Sequence, residues 1–467
     1  MPPVSLTAGV LATAAGGRIA AGDEAAPIGR FSIDTRTLAA GDFFVALRGE
    51  RFDGERFAGE ALQKGASGVL VSNAAAAGDA RGRAVVIEAP DTTKALQNVG
   101  RFVRRKSEAK VVAITGSAGK TTTKEISADL LSERYRVFRN KGNLNNHIGL
   151  PFSLVELRSG PDIAVVELGM NHPGEIRTLI GIAEPEVRVW TNVGEAHIGF
   201  FPSADAIADA KAEVMENARP TDVLIANADD PRLMARARSF AGRLVTFAIH
   251  ADADVRATNV EGGGLERTAA TVRTPAGEFR IQSPLLGMGN LSNVLAGTAV
   301  AINFDISPAS IAERVAALKP AHHRGELLRL PGGLTLVDDS YNSSPAALRQ
   351  SLETIAAARG SARKVAILGE MLELGAHAAS LHAASGAAAA AAGLDLLITV
   401  GGDAARALAD AAVRTGMRAA AVIHVPDAKQ ASVVSLQRTR PGDLVLVKGS
   451  RGVGLETVVE QLKAEFA

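Results

Sequence analysis

The chain has 467 residues, of which 47% are hydrophobic and 22% are charged. This length exceeds what one hydrophobic core normally fills, so the chain is expected to fold into several domains, and the composition excludes large-scale disorder. Fifty-one basic and 50 acidic residues give a net charge of +1, which excludes a globally charged surface for nucleic acid or an anionic membrane. The sequence has no cysteine, which excludes disulfides and thiolate metal sites and is consistent with a cytoplasmic protein.

The first part of the chain predicts a small α/β domain. Strand-like and helix-like segments alternate over residues 31–36, 43–47, 58–64, 68–72 and 93–106. The last of these ends in the basic run Arg104-Arg105-Lys106, which is typical of a helix carboxyl end beside a surface linker. We therefore predict a first domain over residues 1–108.

The middle part predicts a parallel sheet. Apolar runs alternate with helical segments, at residues 111–114, 163–167, 187–191, 223–226 and 243–247. Strands spaced by helices imply crossover connections and a parallel sheet. Between about 255 and 287, short pieces with turn residues predict a small antiparallel insertion. Helices over 290–303 and 308–317 lead to Lys319-Pro320, so we predict a second domain over 109–319.

The last part, residues 320–467, repeats the alternation of strands and helices. Its predicted strands lie at residues 334–338, 364–368, 396–400, 421–425 and 443–447. This pattern predicts a second doubly wound, Rossmann-like sheet. We expect neither a signal peptide nor insertion into a membrane, because the first basic residue is Arg18 and the alanine-rich stretch 383–394 is short and weakly apolar.

The segment from Val111 to Lys124 predicts a buried strand, a glycine loop and a helix, the arrangement that binds a nucleoside triphosphate. Lys120 would neutralise the phosphates, and a hydroxyl of Thr121 or Thr122 would bind Mg²⁺. Ile114 stands where the usual eight-residue pattern has a glycine, so the loop is a shortened variant. The alternative, a glycine-rich turn followed by an unrelated Lys-Thr pair, does not explain the β-branched strand. Backbone N–H groups that would hold phosphate belong to Gly116, Ser117, Ala118 and Gly119.

Polar residues follow several predicted strands, at the edge where open parallel sheets bind ligands. Glu167 is either a magnesium ligand or a carboxylate at a helix start. His197 is either a metal ligand through a neutral ring nitrogen or a structural histidine. Lys211 is predicted from its neighbours to be a solvent-exposed helix lysine. Arg324 is either a γ-phosphate ligand through its planar guanidinium or a surface arginine.

Two polar loops follow predicted strands in the last domain. In the first, Ser344 is predicted to cap a helix whose first residue is Pro345. Four polar side chains of this loop have no evident folding role: Asp338, Asp339, Tyr341 and Asn342. The second loop, 448–451, places a lysine, a serine and an arginine at a strand end. Both loops are therefore predicted to bind substrates.

Together these segments resemble the Mur ligase family over nearly the whole chain. The loop 115–122 is similar to the ATP-binding signature of the family. Three segments resemble the members that add a dipeptide, and not the tripeptide ligases or folylpolyglutamate synthetases; they are 142–151, 167–176 and 338–345. Near the amino terminus, 32–37, 41–49 and 53–54 resemble the domain that holds the uridine nucleotide, and 448–451 also fits the family.

The resemblance implies a role for each residue of the nucleotide site. Lys120 would contact the β- and γ-phosphates, and Arg324 would contact the γ-phosphate. Asn293 would contact adenine, and Asp339 would contact the ribose of ATP. The other implied ATP-binding residues are Gly116, Ser117, Ala118, Gly119, Thr121 and Thr122.

The resemblance also implies two Mg²⁺ ions beside ATP. Thr121 and Glu167 would help to bind the first ion, and His197 would help to bind the second. Lys211 would carry a carbamate, formed with CO₂, that organises the second metal. The implied catalytic residues are Lys120, His197, Lys211 and Arg324. The implied substrate-binding residues are Asp34, Arg36, Asn143, Asn145, Asn146, Asp338, Tyr341, Asn342, Ser450 and Arg451.

The activity implied by the resemblance is that of a three-domain ligase that joins D-alanyl-D-alanine to UDP-N-acetylmuramoyl-tripeptide through an acyl phosphate made from ATP. The first domain would bind the UDP-muramoyl peptide, the middle domain ATP, and the last domain the amino substrate. Two alternatives stay open: a relative that adds a diamino acid to UDP-N-acetylmuramoyl-dipeptide, and a binding protein that uses ATP as a switch. We expect a monomer without a nucleic-acid partner.

Overall fold

The computed structural model describes residues 4–49, 52–81, 84–262, 264–265, 267–360 and 363–467. The chain forms two compact units, one made of Met1–Ala113 and Tyr135–Val187 and the other of Ile114–Arg134 and Arg188–Ala467. Helices and strands alternate in both units, as predicted. The predicted domain borders after residues 108 and 319 fall between secondary-structure elements, and they stay a prediction.

The amino-terminal elements form a mixed sheet with helices. They are α1 (Ala8–Ala15), β1 (Arg18–Ala21), β2 (Phe31–Ser32), β3 (Phe43–Val45), α2 (Ala58–Gln63), β4 (Gly68–Val71), β5 (Val85–Glu88) and α3 (Thr92–Lys106). The strand order is β1-β5-β4-β3-β2, and only the pairing of β1 with β5 is antiparallel among these described strands. Strands β1 and β5 were not among the predicted strands. Strand β1 is partly exposed and has no alternation, whereas β5 is a short β-branched run of the kind that predicts a buried strand.

The next elements carry the glycine loop. They are β6 (Lys110–Thr115), α4 (Lys120–Leu131), β7 (Val137–Arg139), α5 (Gly149–Leu154), β8 (Ile163–Glu167), α6 (Glu175–Ala183), β9 (Val187–Trp190), α7 (Ala204–Ala212), β10 (Val223–Asn227), α8 (Pro231–Ala237), β11 (Arg243–Ala248), β12 (Val255–Glu261), β13 (Thr268–Thr274), β14 (Gly277–Ser283), α9 (Gly287–Asn303) and α10 (Pro308–Ala316). The order is β6-β8-β7 in the first unit and β14-β13-β12-β11-β10-β9 in the second.

The antiparallel segment predicted over 255–287 is present, and it continues the sheet of the middle part of the chain. Strand β12 pairs in parallel with β11 through Phe247 and Ala248, and it pairs antiparallel with β13. The strands β13 and β14 then form an antiparallel hairpin. The segment therefore extends the main sheet. The pairing changes from parallel, between β11 and β12, to antiparallel, between β12 and β13.

The last elements form the predicted doubly wound sheet. They are β15 (Glu326–Arg329), β16 (Thr335–Asp339), α11 (Pro345–Ala357), β17 (Arg363–Gly369), α12 (Ala378–Ala391), β18 (Leu396–Val400), α13 (Asp403–Arg414), β19 (Val422–Val425), α14 (Ala428–Arg438), β20 (Asp443–Lys448) and α15 (Glu456–Glu465). The order is β15-β16-β20-β17-β18-β19, and β15 is an antiparallel edge strand that the sequence analysis missed. The other pairings are parallel, which brings the loops after β16, β17 and β20 to one edge. No helix in the described part of the chain combines the length and apolarity that a membrane span requires.

Candidate active site

The glycine loop connects β6 to α4 and has no room for side chains at two positions. Gly116 has φ 150° and Gly119 has φ 80°, which are backbone angles that favour glycine. A Cβ atom at Gly116 would lie 1.9 Å from Thr191 Oγ1, and one at Gly119 would lie 2.2 Å from Asn293 Oδ1. Helix α4 begins at Lys120, directly after the loop. The strand, glycine loop and helix that the sequence predicted are therefore present, and their binding of phosphate stays a prediction.

The loop is held by residues that directly follow β9 and that the sequence analysis did not assign to the site. Asn192 Oδ1 accepts a hydrogen bond from Ala118 N (2.8 Å), and Asn192 Nδ2 donates to Ala118 O (3.1 Å). Thr191 Oγ1 donates to the same carbonyl at 2.7 Å. Ser117 Oγ accepts from Gly194 N at 2.9 Å. These residues could have been assigned to the site from the sequence, because polar residues directly after a strand often lie at the ligand-binding edge of a parallel sheet.

Lys120 lies against the loop, and Lys211 lies near it. Lys120 Nζ donates to Gly116 O (2.8 Å) and Ser117 O (3.4 Å). Lys211, at the end of α7, is only 2% exposed, so the prediction of a solvent-exposed lysine was wrong. Burial, and then the nearby charge of Lys120, lower the pKa of the Lys211 amine well below its ordinary value. The protein thus holds a buried lysine amine, with a lowered pKa, close to Lys120.

His197 contacts the carboxylate of Glu373, which follows a strand of the last sheet. His197 Nδ1 lies 2.7 Å from Oε2 of Glu373, a residue in the loop after β17. Proximity to His197 holds the pKa of the Glu373 carboxyl below its ordinary value. The two loops also meet through their backbones, since Gly199 N donates to Glu373 O at 3.0 Å. Sequence reasoning missed Glu373, because one glutamate in a loop gives no signal until its partner is known.

Asp338 and Asp339 have folding roles that the sequence analysis did not find. Asp338 is 1% exposed, and its carboxylate lies 2.6 Å from His323 Nδ1 and accepts a 2.6 Å hydrogen bond from Ser340 Oγ. Asp339 Oδ2 pairs at 2.6 Å with Nζ of the buried Lys448. The expectation that these carboxylates lack a folding role was therefore wrong. Their contacts with substrate or ribose stay a prediction.

Other residues of the two polar loops also make internal contacts. Ser344 is the N-cap residue of α11, with Pro345 next to it, but its side chain makes no capping hydrogen bond, so that detail was wrong. The carbonyl of Asn342 accepts from Lys448 Nζ at 3.1 Å. Ser450 Oγ accepts from Leu372 N at 3.0 Å, which ties the second polar loop to the loop after β17.

Tyr341 lies between two guanidinium groups. Arg324 Cζ is 4.2 Å from the centroid of the Tyr341 ring, and Arg451 Cζ is 5.6 Å from it. Neither guanidinium forms an ion pair with any carboxylate in the described residues. Two like charges near one ring repel each other, so an anion bound between them would be favourable. The cluster of Arg324, Tyr341 and Arg451 is therefore suited to an anionic group.

This geometry predicts that the aromatic ring of Tyr341, and not its hydroxyl, supports the arginines. Tyr341→Leu should lower kcat/KM about 2–30-fold, since a cation–π contact contributes about 0.5–2 kcal/mol. Tyr341→Phe should keep at least about half of the activity because it keeps the ring. Steady-state kinetics of the two variants checks this. Equal losses in both variants would instead assign the role to the hydroxyl.

Asn293 and the two helix-start threonines lie beside the glycine loop. Asn293 Oδ1 accepts from Thr123 Oγ1 at 3.2 Å, and its Nδ2 donates to Asn290 Oδ1 at 3.2 Å. Thr121 and Thr122 lie in the first turn of α4. The predicted contact of Asn293 with adenine stays a prediction.

The remaining predicted residues lie in the first unit. Glu167 ends β8, is 4% exposed, and accepts from Asn145 Nδ2 at 2.8 Å. Asn146 Oδ1 accepts from Gly149 N (2.8 Å) at the start of α5, and Asn143 is exposed.

Asp34 and Arg36 also belong to the first unit, where they pair on its surface. Arg36 Nη2 lies 2.7 Å from Asp34 Oδ2. Hydrogen bonds from the Arg36 side chain and backbone lower the pKa of Asp34 to about 2. Their predicted role in binding the nucleotide substrate stays a prediction.

The side chains implied for magnesium binding carry atoms that Mg²⁺ accepts as ligands. Carboxylate, hydroxyl and carbamate oxygens are ligands that Mg²⁺ prefers, and a neutral imidazole nitrogen can complete a site. Within the described ranges, no group of three or more histidine, aspartate or glutamate side chains is placed to hold a metal. The residues implied for Mg²⁺ include only two side chains of these types, Glu167 and His197, and their role stays a prediction.

Three family models match the chain. The model described as "Mur ligase family, catalytic domain" matches residues 27–117, "Mur ligase middle domain" matches 114–301, and "Mur ligase, glutamate ligase domain" matches 323–451. Together they span most of the sequence.

Relatives and solved structures match over nearly the full length. The UDP-N-acetylmuramoyl-tripeptide–D-alanyl-D-alanine ligase of Bacillus subtilis is 32% identical over 92% of this chain and 92% of its own. A crystal structure of MurF from Acinetobacter baumannii is 30% identical, with a TM-score of 0.88 over 99% of this chain and 100% of that one. The MurF ligase of Thermotoga maritima in complex with ADP is 29% identical, with a TM-score of 0.81 over 94% and 97%.

Proposed function

This chain belongs to the Mur ligase family, and we propose that it is the ATP-dependent ligase that adds D-alanyl-D-alanine to UDP-N-acetylmuramoyl-tripeptide. The observation that carries the ligase assignment is the glycine loop with Lys120 on it and the buried Lys211 near it. The relatives are named for the dipeptide-adding reaction, which favours it over the addition of a diamino acid. The reaction belongs to peptidoglycan precursor synthesis, and because it consumes ATP we assign it to the cytoplasm.

ATP is required because a carboxylate is a poor electrophile. The terminal carboxylate of the tripeptide attacks the γ-phosphorus of ATP, which forms an acyl phosphate and releases ADP. The free amine of D-alanyl-D-alanine then attacks the acyl carbon to give a tetrahedral intermediate. This intermediate expels phosphate, the amine loses a proton, and an amide bond remains.

The main task of the protein is to stabilise negative charge on the transferring phosphoryl group. The N–H groups of the glycine loop and of the α4 start would hold phosphate oxygens, and Lys120 would neutralise the β- and γ-phosphates. Arg324 would approach the γ-phosphate from its position on the Tyr341 ring. Two Mg²⁺ ions, bound by Thr121, Glu167, His197 and Lys211, would polarise phosphoryl oxygens when present.

The substrates would be bound by the remaining predicted residues. Asp34 and Arg36 would contact the uridine nucleotide substrate, and Tyr341 and Arg451 would contact the peptide substrates. A monomeric state, with one active site per chain, remains our expectation. The other proposed substrate contacts come from Asn143, Asn145, Asn146, Asp338, Asn342 and Ser450.

We also propose that Lys211 carries a carbamate. An uncharged amine is the form that adds to CO₂, and burial of Lys211, which lowers the pKa of its amine, favours that form. The carbamate would turn a buried base into an oxygen ligand for Mg²⁺. Activity should therefore fall in buffer depleted of CO₂ and bicarbonate, and it should return when bicarbonate is added. An activity that is the same in depleted and supplemented buffer would contradict this part of the proposal.

The experiment that tests the function measures phosphate release with purified protein, Mg²⁺ and ATP across a panel of nucleotide-linked peptides. Release should require both UDP-N-acetylmuramoyl-tripeptide and D-alanyl-D-alanine. Release that needs UDP-N-acetylmuramoyl-dipeptide with lysine or diaminopimelate would favour the diamino-acid ligase. Release that needs neither peptide partner would favour a protein that uses ATP as a switch.

A further inference from the structure

We propose that Glu373 is a positioning residue that orients the imidazole of His197, so that the His197 metal site is completed by the C-terminal domain. The C-terminal domain here means the part of the chain from β15 onward. This inference rests on the proposed function, in which His197 is a metal ligand. It adds a residue that none of the sequence motifs indicates.

The first observation is the contact of the two side chains. His197 Nδ1 lies 2.7 Å from Glu373 Oε2. Nδ1 is buried, and it forms no well-aligned hydrogen bond with any residue in the described part of the chain. The Glu373 carboxylate is thus the acidic group placed beside this ring nitrogen.

The second observation is independent of the side chains, because the backbones of the two loops meet as well. Gly199 N donates to Glu373 O at 3.0 Å. A Cβ atom at Gly199 would lie 2.6 Å from Gly375 N and 2.8 Å from Glu373 O. His197 and Glu373 each have φ 65°, an uncommon angle for a residue other than glycine. Such conformations persist where the surrounding structure determines them, often at functional sites.

The third observation is that the loop carrying Glu373 is anchored within its own domain. Met371 N donates to Nε2 of His382, whose side chain is fully buried, at 2.9 Å. Leu372 N donates to Ser450 Oγ at 3.0 Å. The position of Glu373 is therefore set by the C-terminal domain. Through its contact with His197, Glu373 holds the imidazole in one orientation.

The chemistry of a histidine ligand explains why this contact matters. The two ring nitrogens are distinct, and the partner of one decides the tautomer and the orientation of the other. With Nδ1 beside a carboxylate, Nε2 is left for a metal, and the carboxylate makes the imidazole a better ligand. Loss of such a partner typically weakens metal binding or activity about 10–100-fold.

The test uses the full chain with a non-hydrolysable ATP analogue and Mn²⁺ as the probe for the magnesium sites. Mn²⁺ binding is followed by electron paramagnetic resonance. Glu373→Gln should weaken one of two Mn²⁺ sites about 10–100-fold and leave the other within about twofold. The matched control is Glu460→Gln, because Glu460 is an exposed glutamate of α15 that pairs only with Lys463 among the described residues. The control should bind both ions as the wild type does.

A second variant, Gly199→Ala, disturbs the backbone contact and leaves the Glu373 side chain intact. Its methyl group would displace the loop after β17, so it should weaken the same Mn²⁺ site. Unchanged affinities at both sites in Glu373→Gln and Gly199→Ala would overturn the inference. A wild-type protein that binds only one Mn²⁺ would instead refute the two-metal part of the proposed function, and the inference with it. The wild-type and variant titrations therefore separate the two failures.

Discussion

Replacement of Lys120 by alanine is expected to lower kcat at least ~10²-fold. The Lys120 ammonium lies over the glycine loop, where it donates to Gly116 O at 2.8 Å and would face the β- and γ-phosphates of ATP. Charge develops on these oxygens in the transition state, and one electrostatic donor at such a place is worth about 3–4 kcal/mol. Steady-state phosphate release with saturating ATP and both peptide partners measures the loss. The effect should appear in kcat, because the interaction is strongest in the transition state.

The control for this variant is Lys463→Ala. Lys463 is exposed in α15 and pairs with Glu460 across 3.0 Å, so its removal should leave kcat within about twofold. Unchanged thermal unfolding of Lys120→Ala would show that the fold is intact. If Lys120→Ala retained a tenth or more of the wild-type kcat, the assignment of the phosphate-binding lysine would be wrong.

The second large effect concerns stability. Arg188 and Asp222 form an ion pair of 2.9 Å whose side chains are 2% and 1% exposed. Arg219 supports the pair, since its N–H and its Nε donate to Asp222 at 2.9 and 3.0 Å. Asp222→Asn should lower the free energy of unfolding by roughly 3–5 kcal/mol, because it removes one charge of a buried ion pair. The urea midpoint of the first unfolding transition measures the loss.

The same pair predicts a dependence of stability on pH. Burial alone would raise the pKa of Asp222, but hydrogen bonds from Arg219, together with the Arg188 guanidinium, outweigh burial and hold the pKa below its ordinary value. The pair therefore stabilises the fold above the ordinary carboxyl pKa of about 4, and this contribution is lost as the pH falls toward the folded-state pKa. Wild-type stability should fall more steeply with acid than that of Asp222→Asn.

Asp209→Asn is the control for both stability measurements. Asp209 pairs with Arg236 at 2.7 Å, but its side chain is 71% exposed, so its removal should cost less than about 1 kcal/mol. Equal losses of unfolding free energy for Asp222→Asn and Asp209→Asn would show that burial does not determine how much these ion pairs stabilise the fold.

The sequence was sufficient to predict the parallel sheets, because their buried strands are continuous apolar runs separated by helices. The strand predictions at 163–167 and 396–400 match β8 and β18 residue for residue. Edge strands were harder to predict. Strand β15 is half-buried and β1 is partly exposed, so neither has the apolar run or strict alternation that marks a buried strand.

The candidate site was predictable where its chemistry is local in sequence. The glycine loop needs adjacent residues only, so the strand, loop and helix were found together. Lys211 was wrongly predicted to be exposed, because the elements that bury it are distant in sequence. The folding roles of Asp338 and Asp339 could not be predicted because their partners, His323 and Lys448, come from other segments. Such pairings arise only when strand ends meet at one sheet edge.

The most direct test of the central claim is product analysis. Purified protein with Mg²⁺, bicarbonate, ATP, UDP-N-acetylmuramoyl-tripeptide and D-alanyl-D-alanine is incubated, and the nucleotide-linked products are identified by mass spectrometry. The account predicts one new product, the muramoyl pentapeptide linked to UDP, formed with one ADP and one phosphate per amide bond. Unchanged substrates together with unchanged ATP would contradict it.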